Sequence, residues 1–177
     1  MSSAKTRILT GLLALFISAS AMALPEDRNQ PIRIQADTAE LDDRQGVAVY
    51  RGDVVITQGT LRITGNTVTI TQDQNGDVDV FTAVGKPAYY EQQPAVDRPI
   101  VQAYGLTIQY FAVDERVVLI DQARVVQEGN TFEGEKIVYD TRRQIVNAGR
   151  AGTEVSTPRP RIDMVIQPRN RPAEQNP

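Results

Sequence analysis

The side chains available for acid–base chemistry in this sequence are carboxylates, lysines, tyrosines and hydroxyls, because its 177 residues include no His and no Cys. A Ser-His-Asp triad, a thiolate nucleophile and a zinc site with nitrogen and sulfur ligands are therefore excluded. Two carboxylates facing each other across a cleft, as in a glycosidase, stay open, but no Asp or Glu pair is singled out by its spacing. We predict no catalytic residue, no metal site and no cofactor.

Two acidic segments resemble a carboxylate pair and a calcium-binding loop, but both are better explained as turns. Asp42-Asp43 begins the run DDRQG, whose Asp and Gly content is typical of a turn. The run DQNGDVD over 73–79 has some calcium-loop character, but its Gly comes too early, and Val84 occupies the position of the bidentate glutamate. We therefore predict a turn at the first segment and a hairpin tip at the second.

Arginine supplies most of the positive charge, and its guanidinium group binds phosphate through two parallel hydrogen bonds. Arg33, Arg51, Arg62 and Arg116 are candidates for contact with a lipid phosphate. A solvated sheet face explains each of them singly and is the favoured interpretation.

The elements that would position these side chains are β-strands. Apolar residues alternate with polar ones from Ile32 to Ile166, and Val, Ile and Thr dominate the alternating runs. Turn signals occur at 42–46, 75–76, 114–115, 128–130 and 141–143, and Gly65-Asn66 is predicted to be a two-residue hairpin turn. Turns at intervals of about 8–12 residues are typical of sandwiches, barrels and rolls. The sequence therefore predicts an all-β fold.

A weak internal repeat supports a layered architecture. Three identities recur at a spacing of 69 residues with matching apolar positions between them, namely Val49, Gln58 and Gly65 with Val118, Gln127 and Gly134. Gln35-Ala36 matches Gln102-Ala103 at a spacing of 67, which predicts a two-residue insertion near Ala112-Val113. Stacked strand units predict an elongated structure with open sheet edges at its ends.

The first residues have the pattern of a secretory signal peptide. Lys5 and Arg7 precede an apolar run over 8–17, and Ala21-Met22-Ala23 follows as a cleavage site. We predict a cleaved signal peptide over 1–23, one β-domain over 24–167 and a disordered Pro-rich tail over 168–177. The formal net charge of −3 argues against a nucleic-acid partner.

Both ends of the predicted domain are short amphipathic strands, over 31–37 and 161–166. Terminal strands of an open sheet expose unpaired N–H and C=O groups, which a partner can use for strand addition. The predicted partner-binding edges are Ile32, Arg33 and Ile34 at one end and Ile162, Met164 and Ile166 at the other.

At the run GDVVITQGTLRI over 52–63, the sequence resembles the LptA family of periplasmic lipopolysaccharide-transport proteins. Further matching segments follow in family order over about 30–144, namely QPIRI at 30–34, GKPA at 85–88, VVL at 117–119 and GEKIVY at 134–139. The resemblance implies a twisted, open β-jellyroll of antiparallel strands in the periplasm, whose copies stack end to end. It also implies a non-enzymatic bridge that carries lipopolysaccharide from the inner to the outer membrane.

The resemblance further implies where the ligand and partners bind. An apolar groove would shelter lipid A acyl chains, with Ile32, Ile34, Tyr90 and Tyr110 as lipid-binding residues. An LptC-like periplasmic domain would dock at the N-terminal edge and an LptD-like N-terminal domain at the C-terminal edge. Two alternatives stay open, an exported β scaffold with a filled core and a carboxylate-dependent carbohydrate-active enzyme.

Overall fold

The structure, a computed structural model, describes residues 27–149 and 161–168, so the predicted signal peptide and the tail beyond Pro168 lie outside the described residues. A short 3-10 turn at Asp27–Asn29 precedes ten strands. The strands are β1 Arg33–Gln35, β2 Thr38–Asp42, β3 Val47–Gln58, β4 Leu61–Gln72, β5 Val78–Gln92, β6 Val101–Phe111, β7 Arg116–Gln127, β8 Asn130–Asp140, β9 Ile145–Ala148 and β10 Asp163–Val165. The predicted all-β class is confirmed.

The described strands form one open antiparallel sheet. Strands β3 to β8 pair in chain order, β1 and β2 both pair with β3, and β9 and β10 both pair with β8. Each outer edge therefore consists of two short strands placed one after the other along a long neighbour. No helix in the described part of the chain is long and apolar enough to cross a membrane.

A line of irregular positions crosses the long strands near their middle, and we call this line the crease. Each pairing from β3–β4 to β7–β8 has a register shift there, between Arg51 and Val54, Thr64 and Thr67, Val84 and Ala88, Tyr104 and Thr107, and Ile120 and Ala123. β-bulges bend the strands in which they occur. A row of bulges at matching positions therefore bends the whole sheet along one line.

The ring contacts show how far the sheet bends. Tyr110 lies opposite Phe81 in the β5–β6 register, and Tyr90 follows Phe81 by nine residues in β5. Nine extended residues span about 30 Å, yet the rings of Tyr90 and Tyr110 lie 5.7 Å apart. The sheet therefore folds over at the crease, and its two halves face each other.

We call the two layers the lower and upper half-sheets. The lower half-sheet consists of β1, 54–58, 61–64, 88–92, 101–104, 123–127, 130–133 and β10. The upper half-sheet consists of β2, 47–51, 67–72, 78–84, 107–111, 116–120, 136–140 and β9. The apolar core lies between them.

One predicted turn is wrong. Gly65-Asn66 is not a hairpin but part of the crease, inside the continuous strand β4, and the chain turns at Gly59-Thr60 instead. A Cβ atom on Gly65 would lie 2.8 Å from the Val84 carbonyl oxygen, so the glycine permits a close backbone approach. The other predicted turns are confirmed as connections between strands.

The internal repeat corresponds to structure. Adding 69 to the first and last residue numbers of β3 gives those of β7, and adding 69 to the first residue number of β4 gives that of β8. The register shift between Arg51 and Val54 corresponds in the same way to the shift between Ile120 and Ala123. The predicted two-residue insertion is wrong. Arg33 pairs with Thr57 and Gln102 with Val126, and both pairs are related by the same offset of 69.

Candidate functional site

A continuous apolar row crosses the lower half-sheet from one edge to the other. Residues directly opposite each other on neighbouring strands point to the same face. The row consists of Ile34, Ile56, Ile63, Tyr90, Ala103, Val125, Phe132 and Met164. It therefore joins three residues predicted from the sequence, namely Ile34, Tyr90 and Met164.

A second apolar row crosses the upper half-sheet and faces the first. It consists of Leu41, Ala48, Ile70, Phe81, Tyr110, Val117, Tyr139 and Val146. The Tyr110 ring lies 5.7 Å from Tyr90 and 6.0 Å from Phe81. The two rows form the walls of the interior, and the sequence-predicted residue Tyr110 lies on the second wall.

The middle of this interior is filled by the protein's own rings. Tyr90 is 0% exposed and Tyr110 is 5% exposed. The Tyr90 hydroxyl donates a hydrogen bond to Gln92 Oε1, and burial raises the pKa of Tyr90 well above its usual value. Tyr90 therefore stays neutral and has a partner for its hydroxyl, as a buried tyrosine requires.

Tyr139, which was not among the predicted lipid-binding residues, has a different environment from Tyr90. It is 1% exposed, and its hydroxyl has no hydrogen-bond partner among the described residues. Burial raises the pKa of Tyr139 to about 12. The interior therefore contains one buried polar atom whose hydrogen-bonding capacity is unused.

The N-terminal end of the interior is open. A cavity of about 210 Å³ lies between the half-sheets there. Its apolar lining includes the predicted residues Ile32 and Ile34 together with Leu41, Tyr50 and Ile70. We call this cavity the N-terminal slot. It lies directly beside the edge strands β1 and β2.

The C-terminal edge also exposes apolar side chains. β10 pairs with β8, where Met164 lies opposite Phe132. Ile162, Met164 and Ile166, the three residues predicted for this edge, are 46%, 51% and 68% exposed. The apolar row of the lower half-sheet therefore continues to both edges of the sheet, where it ends in Ile34 and Met164.

The start of the described chain is fastened to one end of the lower half-sheet through Asp27. Its carboxylate accepts hydrogen bonds from the Thr60 N–H, the Thr60 hydroxyl and Gln92 Nε2, each at 2.7 Å. Gln92 Oε1 in turn accepts a hydrogen bond from the Tyr90 hydroxyl. No local sequence pattern predicts this network, because Asp27 and Gln92 are 65 residues apart.

The two acidic segments are turns, as predicted. Asp42 Oδ1 accepts the backbone N–H groups of Arg44 and Gln45. Asp73 Oδ1 accepts those of Asn75 and Asp77, and these hydrogen bonds lower the pKa of Asp73. Within residues 27–149 and 161–168, no three acidic side chains are grouped so that they could hold a metal ion.

The creased sheet, its facing apolar rows and its open edges define the class of protein, which is an open antiparallel β-jellyroll with an apolar interior. The family model described as "LptA/(LptD N-terminal domain) LPS transport protein" matches residues 33–145. The chain belongs to this family, which confirms the resemblance found in the sequence.

Individual relatives agree with this assignment. The chain is 70% identical over 165 residues to lipopolysaccharide export system protein LptH of Pseudomonas aeruginosa, covering 93% of this chain and 94% of that protein. It is 31% identical over 150 residues to LptA of Escherichia coli K12, covering 81% and 80%.

A solved structure is also similar. It is the crystal structure of LptH from Pseudomonas aeruginosa, described as the LptA-homologous periplasmic component of the lipopolysaccharide transport device. The TM-score is 0.74 at 74% identity, with 81% of this chain and 100% of that chain covered.

Proposed function

We propose that this chain is a periplasmic bridge that binds lipopolysaccharide and carries it from the inner to the outer membrane without catalysing a reaction. The observation that carries the proposal is the pair of facing apolar rows that run from one sheet edge to the other. The relatives named above are lipopolysaccharide export proteins, which supports the same cargo.

The acyl chains of lipopolysaccharide are the part that needs shelter from water. Each methylene group exposed to water costs ~0.8 kcal/mol relative to an apolar environment. A lipid with several acyl chains therefore meets a large barrier in the aqueous periplasm, and an apolar interior removes most of it. The proposed lipid contacts are Ile32, Ile34, Tyr90 and Tyr110.

The N-terminal slot supports an entry point for these chains. Ile32 and Ile34 line it, and Tyr90 and Tyr110 close the interior beyond it by contacting each other. Acyl chains that pass along the interior must separate these two rings. The proposal therefore requires the half-sheets to move apart when lipid binds.

The edges support a second part of the proposal, which is assembly by strand addition. β1 and β2 would accept an LptC-like periplasmic domain, β9 and β10 an LptD-like N-terminal domain, and either edge another copy of this chain. The matching family model includes the N-terminal domain of LptD with LptA, which supports a partner of related fold at the C-terminal edge.

One observation favours the alternative of an exported scaffold with a filled core, namely the complete burial of Tyr90. A carbohydrate-active enzyme has less support, because the buried polar side chains among the described residues are Gln58 and Thr141, and neither is a carboxylate. Envelope glycans incubated with the purified protein should therefore give no product.

Site-specific photocrosslinking tests the proposal directly. A photoreactive residue at Tyr90 or Tyr110 should crosslink to lipopolysaccharide, because both positions face the interior. Tyr89 and Gln109 are matched controls, since each is the sequence neighbour of a test residue and alternation places it on the outer face. The products are read by blotting for lipopolysaccharide.

The lipid-carrying bridge and the exported scaffold predict different crosslinking patterns. A bridge gives strong products at Tyr90 and Tyr110 and little at Tyr89 and Gln109. Equal yields at inner and outer positions, or none at any, contradict lipid binding in the interior and favour the scaffold.

A further inference from the structure

A polar pocket of about 390 Å³ lies where the free ends of the two half-sheets approach each other, opposite the crease. We call it the mouth pocket. One side is the loop between β5 and β6, with Gln92, Pro94, Ala95 and Arg98, and the other side is formed by the turns after β6 and β8, with Glu115, Thr141, Arg142, Arg143 and Gln144.

The charge at the mouth pocket is locally positive, although the chain is acidic overall. Arg98, Arg142 and Arg143 line it from both sides. Arg142 forms hydrogen bonds of 3.3 Å and 3.4 Å to Glu115, and Arg143 lies 3.8 Å from Asp140. Arg98 forms no ion pair among the described residues. The charged residues that line the pocket are therefore three arginines and one glutamate, Glu115.

The mouth pocket is continuous with the apolar walls. Gln92 follows Tyr90 by two residues within β5, so both side chains point to the same face of that strand. Thr141 lies in the turn directly after β8, two residues beyond Tyr139. Gln92 and Thr141 line the pocket, whereas Tyr90 and Tyr139 are buried in the interior. A molecule with chains in the interior would hold its polar head at these arginines.

We propose that the mouth pocket binds a phosphate group on the head of a multi-acyl lipid, with Arg98, Arg142 and Arg143 as its ligands. The inference rests on the proposed function, because it assigns the polar end of the same cargo. Guanidinium groups bind phosphate through paired, charge-assisted hydrogen bonds. None of these three arginines is among the four singled out by sequence analysis.

The position of the pocket favours a lipid headgroup over a free phosphate ion as the source of the bound phosphate group. A site for a free ion needs no apolar wall beneath it, whereas an amphiphile places its charge where the apolar interior meets water. The Arg142–Glu115 pair also restrains one guanidinium at this boundary.

The test compares binding of phosphorylated lipid A and chemically dephosphorylated lipid A to the full chain. The wild type should bind the phosphorylated lipid about tenfold more tightly. The double variant Arg98→Gln/Arg143→Gln should lose this preference and keep its affinity for the dephosphorylated lipid. Arg62→Gln removes one positive charge from an exposed position on β4, away from the pocket, and should keep the preference.

Each result decides one question. Equal affinity of the wild type for both lipids, or an unchanged preference in the double variant, overturns the phosphate site and leaves the proposed function intact. Equal loss of both lipids in the double variant also overturns it, since the arginines then do not recognise phosphate. A wild type that binds neither lipid contradicts the proposed function itself.

Competition with inorganic phosphate distinguishes a lipid headgroup from a free phosphate ion as the ligand of the mouth pocket. At millimolar concentration it should weaken binding of the phosphorylated lipid to the wild type and leave binding of the dephosphorylated lipid unchanged. If inorganic phosphate alone saturates the pocket at micromolar concentration, the ligand is the free ion and the headgroup assignment is overturned.

Discussion

At the scale of single residues, two buried tyrosine hydroxyls of the interior differ, because one has a hydrogen-bond partner and the other has none among the described residues. Tyr90 donates to Gln92, whereas the Tyr139 hydroxyl is buried without a partner among the described residues. A buried polar group that loses its water without gaining a partner costs about 1–3 kcal/mol. The unpartnered Tyr139 hydroxyl therefore lowers the stability of the folded protein.

The substitution Tyr139→Phe should raise the free energy of unfolding by about 1 kcal/mol, because it removes the unsatisfied hydroxyl and keeps the ring. Urea unfolding at neutral pH measures the change. Tyr90→Phe is the matched control and should lower stability, since it leaves Gln92 Oε1 without its donor. A loss of stability in Tyr139→Phe would show that its hydroxyl does have a partner.

Alkaline pH provides a second measurement at the same residue. Burial raises the pKa of Tyr139 from 10.0 to about 12, so the folded state holds its proton at pH values where the unfolded state has lost it. The resulting stability is complete below the unfolded pKa and is lost as pH rises through the folded pKa. Tyr139→Phe should therefore lose less stability than the wild type between these two values.

Some of these residues were predictable from the sequence, but their contacts were not. Alternation and family resemblance placed Ile34, Tyr90 and Tyr110 on the interior side. The network from Tyr90 through Gln92 to Asp27 depends on segments brought together only by folding. The mouth pocket was missed for the same reason, because its two sides come from distant turns.

At the scale of elements, the crease converts a flat meander into two facing layers, and Gly52 lies at the crease in β3. Gly52 has φ +84°, and a Cβ atom there would lie 2.6 Å from Asp37 Cβ. The Asp37 N–H donates to the Arg51 and Gly52 carbonyl oxygens. This close contact joins the edge strands to β3 at the bend.

Gly52→Ala should destabilise the protein more than Gly76→Ala. Both glycines have nearly the same φ, +84° and +86°, but Gly76 has no atom within 4 Å of an added Cβ. The backbone cost of about 1–2 kcal/mol is shared, and overpacking against Asp37 adds about 1–3 kcal/mol at Gly52 alone. Urea unfolding of both variants measures the difference. Equal losses would contradict a role of this contact in holding the crease.

The crease also explains the main error in predicting the elements. Gly65-Asn66 has the residue types of a hairpin turn, and period-two alternation is interrupted there. Bulges and turns use the same small residues, so local sequence does not separate a bent strand from two short ones. Comparison with Gly134, its counterpart in the repeat, does not resolve this ambiguity, since Gly134 lies in a bulge as well.

At the scale of the whole molecule, both edges combine exposed backbone with the ends of the apolar rows. The N-terminal edge ends in Ile34 and Leu41, and the C-terminal edge ends in Met164 and Val146. Joining the second edge of one copy to the first edge of another would continue both rows. Predicting these edges from sequence was possible because terminal amphipathic strands are a local pattern.

Cysteine pairs test this assembly, because the native chain has no Cys. Arg33→Cys or Gln35→Cys mixed with Asp163→Cys or Val165→Cys should give intermolecular disulfides in at least one combination, since neighbouring strands lie within disulfide reach. Non-reducing electrophoresis measures the yield. Arg62→Cys on β4 is the control. Yields no higher than this control in all four combinations would contradict edge-to-edge assembly.

The bend has a consequence for selectivity among partners. Each edge consists of two strand segments set at an angle, one belonging to each layer. A straight foreign strand can extend only one layer and leaves the other without a neighbour. In the proposed assembly, a partner sheet bent at the same place would extend both layers together, so the angle between the two edge strands would select against straight, unrelated β-strands.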